Sequence, residues 1–392
     1  MANKPIEQET IAQSLKNAGY SRRDFLQLCT TLVATAPMGL ALTDKASPAA
    51  VAKKIAKAKK PSVVWLHFQD CTGCSETLLR TSKPDVADLI INVISLDYHE
   101  TLMAACGQQA EEALQSAVSD NSGKYVLVVE GAIPTKEQGV YMMLGGKPAM
   151  EVLRNVGSKA AAIIAIGSCA SWGGVPSADP NPTGATGVDQ IISGTTAPPI
   201  VNIPGCPPNP YTLLGVVLEY AVMGKLPACD DLKRPKFAYD RYIHDHCPRR
   251  AHFDAGRFAG DFGDAGHSEG YCLFKLGCKG PVTHAGCSTR HFNEMVGAWP
   301  IGTGAPCFGC TEQAVGFRIP AFTRVDPYTF TPPDTYAPIS NKVGNFGAAA
   351  AGLVGIAAGA LGGATWVASQ KLKSSEEAVA EQAPKPTPVG GK

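Results

Sequence analysis

The sequence predicts an α/β fold: a doubly wound parallel sheet over residues 61–228, an irregular cysteine-rich domain over 229–340 and a C-terminal transmembrane helix over 346–368. Three observations predict it. Short, continuously apolar runs alternate with helical stretches in the first part, as parallel strands covered on both faces require. Beyond residue 230 the periodicity stops while Gly, Pro, His and Cys accumulate. Between residues 346 and 368 only Thr365 is polar.

The first strand is expected at 61–68 (PSVVWLHF), after a Lys/Ala-rich linker at 53–60. Further strands are expected at 89–96, 125–129, 161–166 and 199–203, with helices at 103–118, 146–155 and 211–223 between them. A stretch as long and aperiodic as 231–340 is anomalous in an ordinary domain. It is expected where bound cofactors replace part of the core.

A formal net charge of +1 over 392 residues leaves no electrostatic footprint for nucleic acid. In a small secreted chain 13 cysteines would suggest disulfides. Here the chain is large and the cysteines cluster at metal-ligand spacings.

Both termini carry signals. Ser21-Arg22-Arg23-Asp24-Phe25-Leu26 precedes a mildly apolar run, and Ala46, Ala49, Ala50 and Ala52 suit a cleavage site. Residues 1–52 are therefore expected to be a twin-arginine export signal, a route that carries proteins already folded around their cofactors. The 23 residues of 346–368 match the hydrocarbon core of a bilayer, about 30 Å thick at about 1.5 Å rise per residue. Trp366 at its edge and Lys371 and Lys373 beyond it fit an interface with the polar, disordered tail (374–392) on the cytoplasmic side. Gly355, Gly359 and Gly363 give one smooth face for another membrane helix. The body is then expected on the periplasmic side of the inner membrane.

Cys71 and Cys74 follow the first expected strand, Cys169 the fourth and Cys206 the fifth. Ligands of open α/β sheets gather beyond the carboxyl ends of the strands. Four thiolates delivered there suit a [4Fe–4S] cluster or a zinc ion. A second group comprises His244, Cys247, Cys272, Cys278, Cys287, Cys307 and Cys310, one His and six Cys in 67 residues. One four-ligand and one three-ligand site use it completely, whereas a single zinc site cannot. Spacing alone does not choose His244 over His246.

The segments DCTGCSETLLR (70–80), AIGSCASWGGV (165–175), NIPGCPPNP (202–210), IHDHCPRRAHFDAGRFAGDFGD (243–264), GYCLFKLGCKGP (270–281) and PCFGCTEQ (306–313) together resemble the small subunit of nickel–iron hydrogenases. The resemblance spans about 61–320 and both termini. With GFRIP (316–320) it is most like the type-2 enzymes of enteric bacteria, which exchange electrons with the quinone pool. It implies a flavodoxin-like first domain and three iron–sulfur clusters in an electron-transferring subunit. A proximal [4Fe–4S] would fall on Cys71, Cys74, Cys169 and Cys206, a distal [4Fe–4S] on His244, Cys247, Cys272 and Cys278, and a medial [3Fe–4S] on Cys287, Cys307 and Cys310. Pro300 lies where the family keeps a non-ligating residue.

The resemblance also implies partners: a large subunit that holds the nickel–iron centre, and a quinone-linked membrane protein, with a ferredoxin-like subunit as a candidate intermediary. A dimer of such heterodimers is expected. The large subunit's cysteine pairs sit in Arg-x-Cys-Gly-x-Cys and Asp-Pro-Cys-x-x-Cys contexts. Cys71/Cys74 and Cys307/Cys310 have neither setting, so no catalytic residue is expected in this chain. Oxygen-tolerant relatives place extra cysteines at positions matching Gly73 and Gly174, and glycine at both implies an oxygen-sensitive enzyme. Cys29 lies in the leader, and Cys106 and Cys229 are expected to be ordinary buried or half-buried residues. Asp70, Glu76 and Glu130 are expected near the proximal ligands, as surface charge or hydrogen-bonding groups. Two competing readings are an iron–sulfur subunit of the respiratory complex I type, which lacks a second cysteine-rich domain, and a zinc-stabilised periplasmic binding protein.

Overall fold

Five short strands of mostly apolar residues build the sheet: β1 (Ser62–His67), β2 (Ser95–His99), β3 (Val126–Glu130), β4 (Ala162–Ile166) and β5 (Ile200–Ile203). The computed structural model describes residues 10–17 and 57–325, except 83, 195, 293 and 294. All pairings are parallel and the strand order is β2-β1-β3-β4-β5, the flavodoxin-like order. Every residue of β1, β3 and β4 is buried, which is why those runs are apolar except at their ends. Because side chains alternate, Val63, Trp65, Val126, Val128, Ile164 and Ile166 join one core layer. Val64, Leu66, Leu127, Val129, Ile163 and Ala165 join the other.

The helices are α1 (Ile11–Asn17), α2 (Gly73–Leu78), α3 (Gln108–Asp120), α4 (Ala149–Gly157), α5 (Gly167–Trp172) and α6 (Pro210–Met223), with shorter turns between. α6 has clear boundaries in sequence. The Asn209 side chain accepts from the Tyr211 N–H, Pro210 fits the first turn, and Gly224 closes the helix at φ 65°.

Two expectations need correction. The run 89–96 is not one strand: Leu89–Val93 is a π-helical turn, and β2 starts at Ser95. Leu89 and Val93 are each 1% exposed while Ile91 is 62% exposed, a helical spacing that continues the short helix Val86–Asp88, which Asp85 caps. Within the expected linker, residues 57–60 also join the fold, since Ala58 is buried and Lys59 pairs with Thr10.

After α6 only short turns occur among the described residues, including Ile243–His246, Arg250–Asp254, Phe274–Leu276 and Gly280–Val282. They enclose a small core of Ile243, Ala259, Leu273, Leu276, Ala285, Trp299, Ile301 and Cys307, with Cys247, Cys278 and Cys287 packed on it. A buried charge network ties the beginning of this part to its end. Arg234 bonds Asp230 Oδ2 (2.8 Å), the Thr311 carbonyl (2.9 Å) and Glu312 Oε1 (2.8 Å). Among the described residues no helix is long and apolar enough to cross a membrane. The expected span 346–368, the tail, and leader residues 1–9 and 18–52 lie outside the described residues.

Candidate metal centres

The first cysteine set forms where the sheet ends. β1 runs into a turn with Thr72 at φ 61°, which presents Cys71 and starts α2 with Cys74 in its first turn. Cys169 lies in the first turn of α5 after β4, and Cys206 follows β5. The glycines make room for sulfur: a Cβ on Gly167 would sit 2.6 Å from Cys74 Sγ, and one on Gly174 2.7 Å from Cys169 Sγ. Cys71 and Cys206 are exposed and Cys74 and Cys169 half-buried, so this set opens at the protein surface.

Glu130, at the end of β3 and 1% exposed, fixes that turn. Its carboxylate accepts from the Cys74 N–H (2.9 Å), the Ser75 N–H (3.3 Å), Ser75 Oγ (2.6 Å) and Trp65 Nε1 (3.1 Å). His67 bonds Asp70 at 2.6 Å. Burial alone would lower the His67 pKa, but the Asp70 bond and the Glu130 charge raise it above its ordinary value. Glu76 pairs with Arg80 in solvent. Hydrogen bonding is thus the part Asp70 and Glu130 play, and surface charge that of Glu76. The extent of Glu130's bonding was not readable from sequence, because its donors lie more than fifty residues away.

The later ligands divide between two cavities. A small one is lined by His244, Cys247, Cys272 and Cys278, together with Arg249 and Phe274. His244 is buried and lines this cavity, whereas His246 is exposed. Phe253 stands edge-on to His244 at 4.7 Å. A larger cavity of about 520 Å³ is lined by Cys287, Cys307 and Cys310, by Pro300 and Trp299, and by Cys206 of the first set.

The three-cysteine set lies between the other two. Cys206 lies beside Cys310 and, added to burial, its charge helps to push the Cys310 thiol up. Ser168 Oγ donates to the Cys310 carbonyl (2.6 Å) and accepts from the Gly205 N–H (3.1 Å). On the other side, the Lys279 N–H donates to the Cys307 carbonyl at 2.7 Å. Cys106 is exposed, contrary to the expectation of a buried residue, and Cys229 is half-buried against the core.

The donor chemistry fits iron–sulfur cages better than single ions. Burial, with repulsion from neighbouring thiolates, pushes Cys74 and Cys310 well up, and Cys169, Cys272, Cys278 and Cys307 to about 12. Such thiols ionise together only around a cation. Four sulfurs on one zinc would lie roughly 3.8 Å apart, given Zn–S bonds of about 2.3 Å. Among the described residues, the one group of three or more His, Cys, Asp or Glu ligand atoms within 4.8 Å of one another is His67, Asp70 and Glu130, with no cysteine in it.

Comparisons with known proteins resolve the family. Residues 71–220 match the family described as NADH ubiquinone oxidoreductase, 20 Kd subunit, which by itself fits either iron–sulfur reading. Residues 239–323 match the family described as the C-terminal part of the NiFe/NiFeSe hydrogenase small subunit. Over 355 residues, covering 90% of the chain and 93% of the relative, the sequence is 46% identical to the Hydrogenase-2 small chain of Escherichia coli K12. The chain belongs to the nickel–iron hydrogenase small subunits. It is the electron-transferring subunit of a heteromeric hydrogenase, and small subunits of this family carry iron–sulfur clusters. The small chain of the quinone-reactive Ni/Fe-hydrogenase of Wolinella succinogenes is 45% identical over 300 residues, covering 76% of this small subunit and 82% of that one. A crystallised [NiFeSe] hydrogenase of Dm. baculatum superposes with a TM-score of 0.63 at 33% identity, covering 68% of this chain and all of that one.

Proposed function

We propose that this small subunit holds three clusters in line and passes electrons between the nickel–iron site of its large subunit and a quinone-linked membrane partner. Cys71, Cys74, Cys169 and Cys206 hold a proximal [4Fe–4S], Cys287, Cys307 and Cys310 a medial [3Fe–4S], and His244, Cys247, Cys272 and Cys278 a distal [4Fe–4S]. The clusters supply one-electron redox chemistry when bound. The chain's own groups orient them: Glu130 anchors the Cys74 turn, and Ser168 links Gly205, next to Cys206, to the Cys310 carbonyl. The observation that carries this reading is the cavity that Cys206 shares with Cys287, Cys307 and Cys310. The exposed Cys71 and Cys206 support a proximal end covered by the large subunit. Imidazole at His244 reduces the negative charge of the distal ligand set and so raises its potential.

Residues 1–52 act as a twin-arginine leader, and 346–368 anchor the body on the periplasmic side of the inner membrane. The domains run 61–228 and 229–340, and the complex is a dimer of heterodimers, with a ferredoxin-like subunit as a candidate link to the membrane partner. A Cβ on Gly73 would lie 3.1 Å from Cys71 sulfur and one on Gly174 2.7 Å from Cys169 sulfur; glycine at both positions brings no supernumerary thiol, which supports an oxygen-sensitive enzyme. Sustained hydrogen oxidation in air by the purified complex would overturn that last point.

The test of the whole reading is metal analysis with EPR of the purified complex. The small subunit is expected to contain about 11 iron and no zinc, with a three-iron signal in the oxidised state. A zinc-dominated result excludes the assignment. Cys206→Ser is expected to abolish proximal-cluster assembly and hydrogen-dependent dye reduction.

A further inference from the structure

The leader is not all outside the fold. α1 belongs to it, yet Ile11 and Leu15, four apart on one face, are each 1% exposed. They share a core layer with Ala58, Val63, Leu89 and Val93. The Ile11 N–H donates to the Ala58 carbonyl at 3.0 Å, and Thr10 pairs with Lys59. Ser14 Oγ donates to Asn92 Oδ1 at 3.0 Å, and Lys60 Nζ reaches the Ile91 carbonyl at 3.1 Å.

A helix of seven residues does not hold together alone in water, so α1 owes its form to this contact. The surface it fills is made by β1, the residues just before it and the 89–93 turn, and exists only once the α/β domain has folded. Chain connectivity adds a consequence. The 39 residues between Asn17 and Lys57, which include Arg22 and Arg23, are tied to the domain at both ends.

We propose that α1 is a folding-dependent latch: the notch formed by Ala58, Leu89, Asn92 and Val93 is an interaction surface for the start of the leader. The inference rests on reading residues 1–52 as a removable leader. A latched leader must let go before the body can part from it, so the latch delays leader removal until α1 undocks. Cleavage then takes away Ile11 and Leu15 and leaves Leu89 and Val93 uncovered.

Hydrogen exchange on the full-length, cluster-loaded precursor tests this. Amides of 14–17 are expected to exchange roughly 100-fold slower than in the free peptide, as burial of two large apolar side chains less their ordering cost allows. Ile11→Ser with Leu15→Ser is expected to abolish that protection, raise exchange across 89–93, and shorten the half-time of leader removal in cells several-fold. Ile11→Ala, which keeps the helix, is expected to give part of each effect and serves if the double variant does not accumulate. Free exchange at α1 in the folded precursor overturns the latch. So does unchanged processing after protection is lost. Arg22→Lys with Arg23→Lys probes the leader reading separately. Unimpaired processing there overturns that reading, and the latch's role with it, even where α1 stays protected.

Discussion

At the scale of single residues, sequence spacing displayed the proposed ligands but hid what holds them. The ten cysteines proposed as ligands stand out because thiolates in clustered spacings have little other use in a large chain, whereas spacing left His244 and His246 open. Glu130 and Ser168 were not legible, since their partners come from Trp65 and Cys74 in one case and Cys310 in the other. Their roles lead to two expectations. Glu130→Ala leaves the Cys74 and Ser75 N–H groups and Trp65 Nε1 without an acceptor, at about 1–3 kcal/mol for each buried group. Lower thermal stability and less iron per chain are expected on metal analysis, while Glu76→Ala, a solvent-exposed position, is expected to change neither. Ser168→Ala removes the hydroxyl joining Gly205 to Cys310. Cluster content is expected to persist, with a shifted reduction potential of the three-iron signal in an EPR redox titration. An unmoved potential would make Ser168 a packing residue only.

Secondary structure shows where pattern reading succeeds and where it slips. The central strands were legible because burial on both faces leaves no polar position in β1, β3 or β4, apart from residues at their ends. The same rule misplaced β2, because the apolar run ending at Ile94 is equally consistent with a buried helical turn. Mutation separates the two geometries. In a strand, residues 89, 91 and 93 would share one face. In the observed turn Leu89 and Val93 are buried while Ile91 is not. Leu89→Ala is expected to cost about 2–5 kcal/mol, whereas Ile91→Ala is expected to stay within about 0.5 kcal/mol. Urea denaturation of the two variants gives the comparison directly, and equal losses would restore the strand.

For the whole molecule, the two parts depend on different sources of stability. The α/β domain has two apolar layers flanking a five-stranded sheet. The second part has a small core in which Cys307 is itself a member and Cys247, Cys278 and Cys287 are its edge. Its architecture was illegible in sequence for that reason: without periodicity, order comes from cofactor ligation and from polar links such as Arg234. Burial would raise the Glu312 pKa, yet the bonds from His284 and the charge of Arg234 hold it below its ordinary value. Arg234→Ala strands that carboxylate and is expected to cost about 3–5 kcal/mol. Iron removal acts on the same part by another route. Stripping the clusters with a chelator under reducing conditions leaves thiols whose neutral forms burial favours, so nothing then draws His244, Cys247, Cys272 and Cys278 together. Hydrogen exchange is expected to lose protection at 243–247 and 272–283 while amides of β3 and β4 stay protected. If both parts lose protection together, the sheet also depends on the proximal ligands; if neither does, the small apolar core suffices and iron adds function without adding structure.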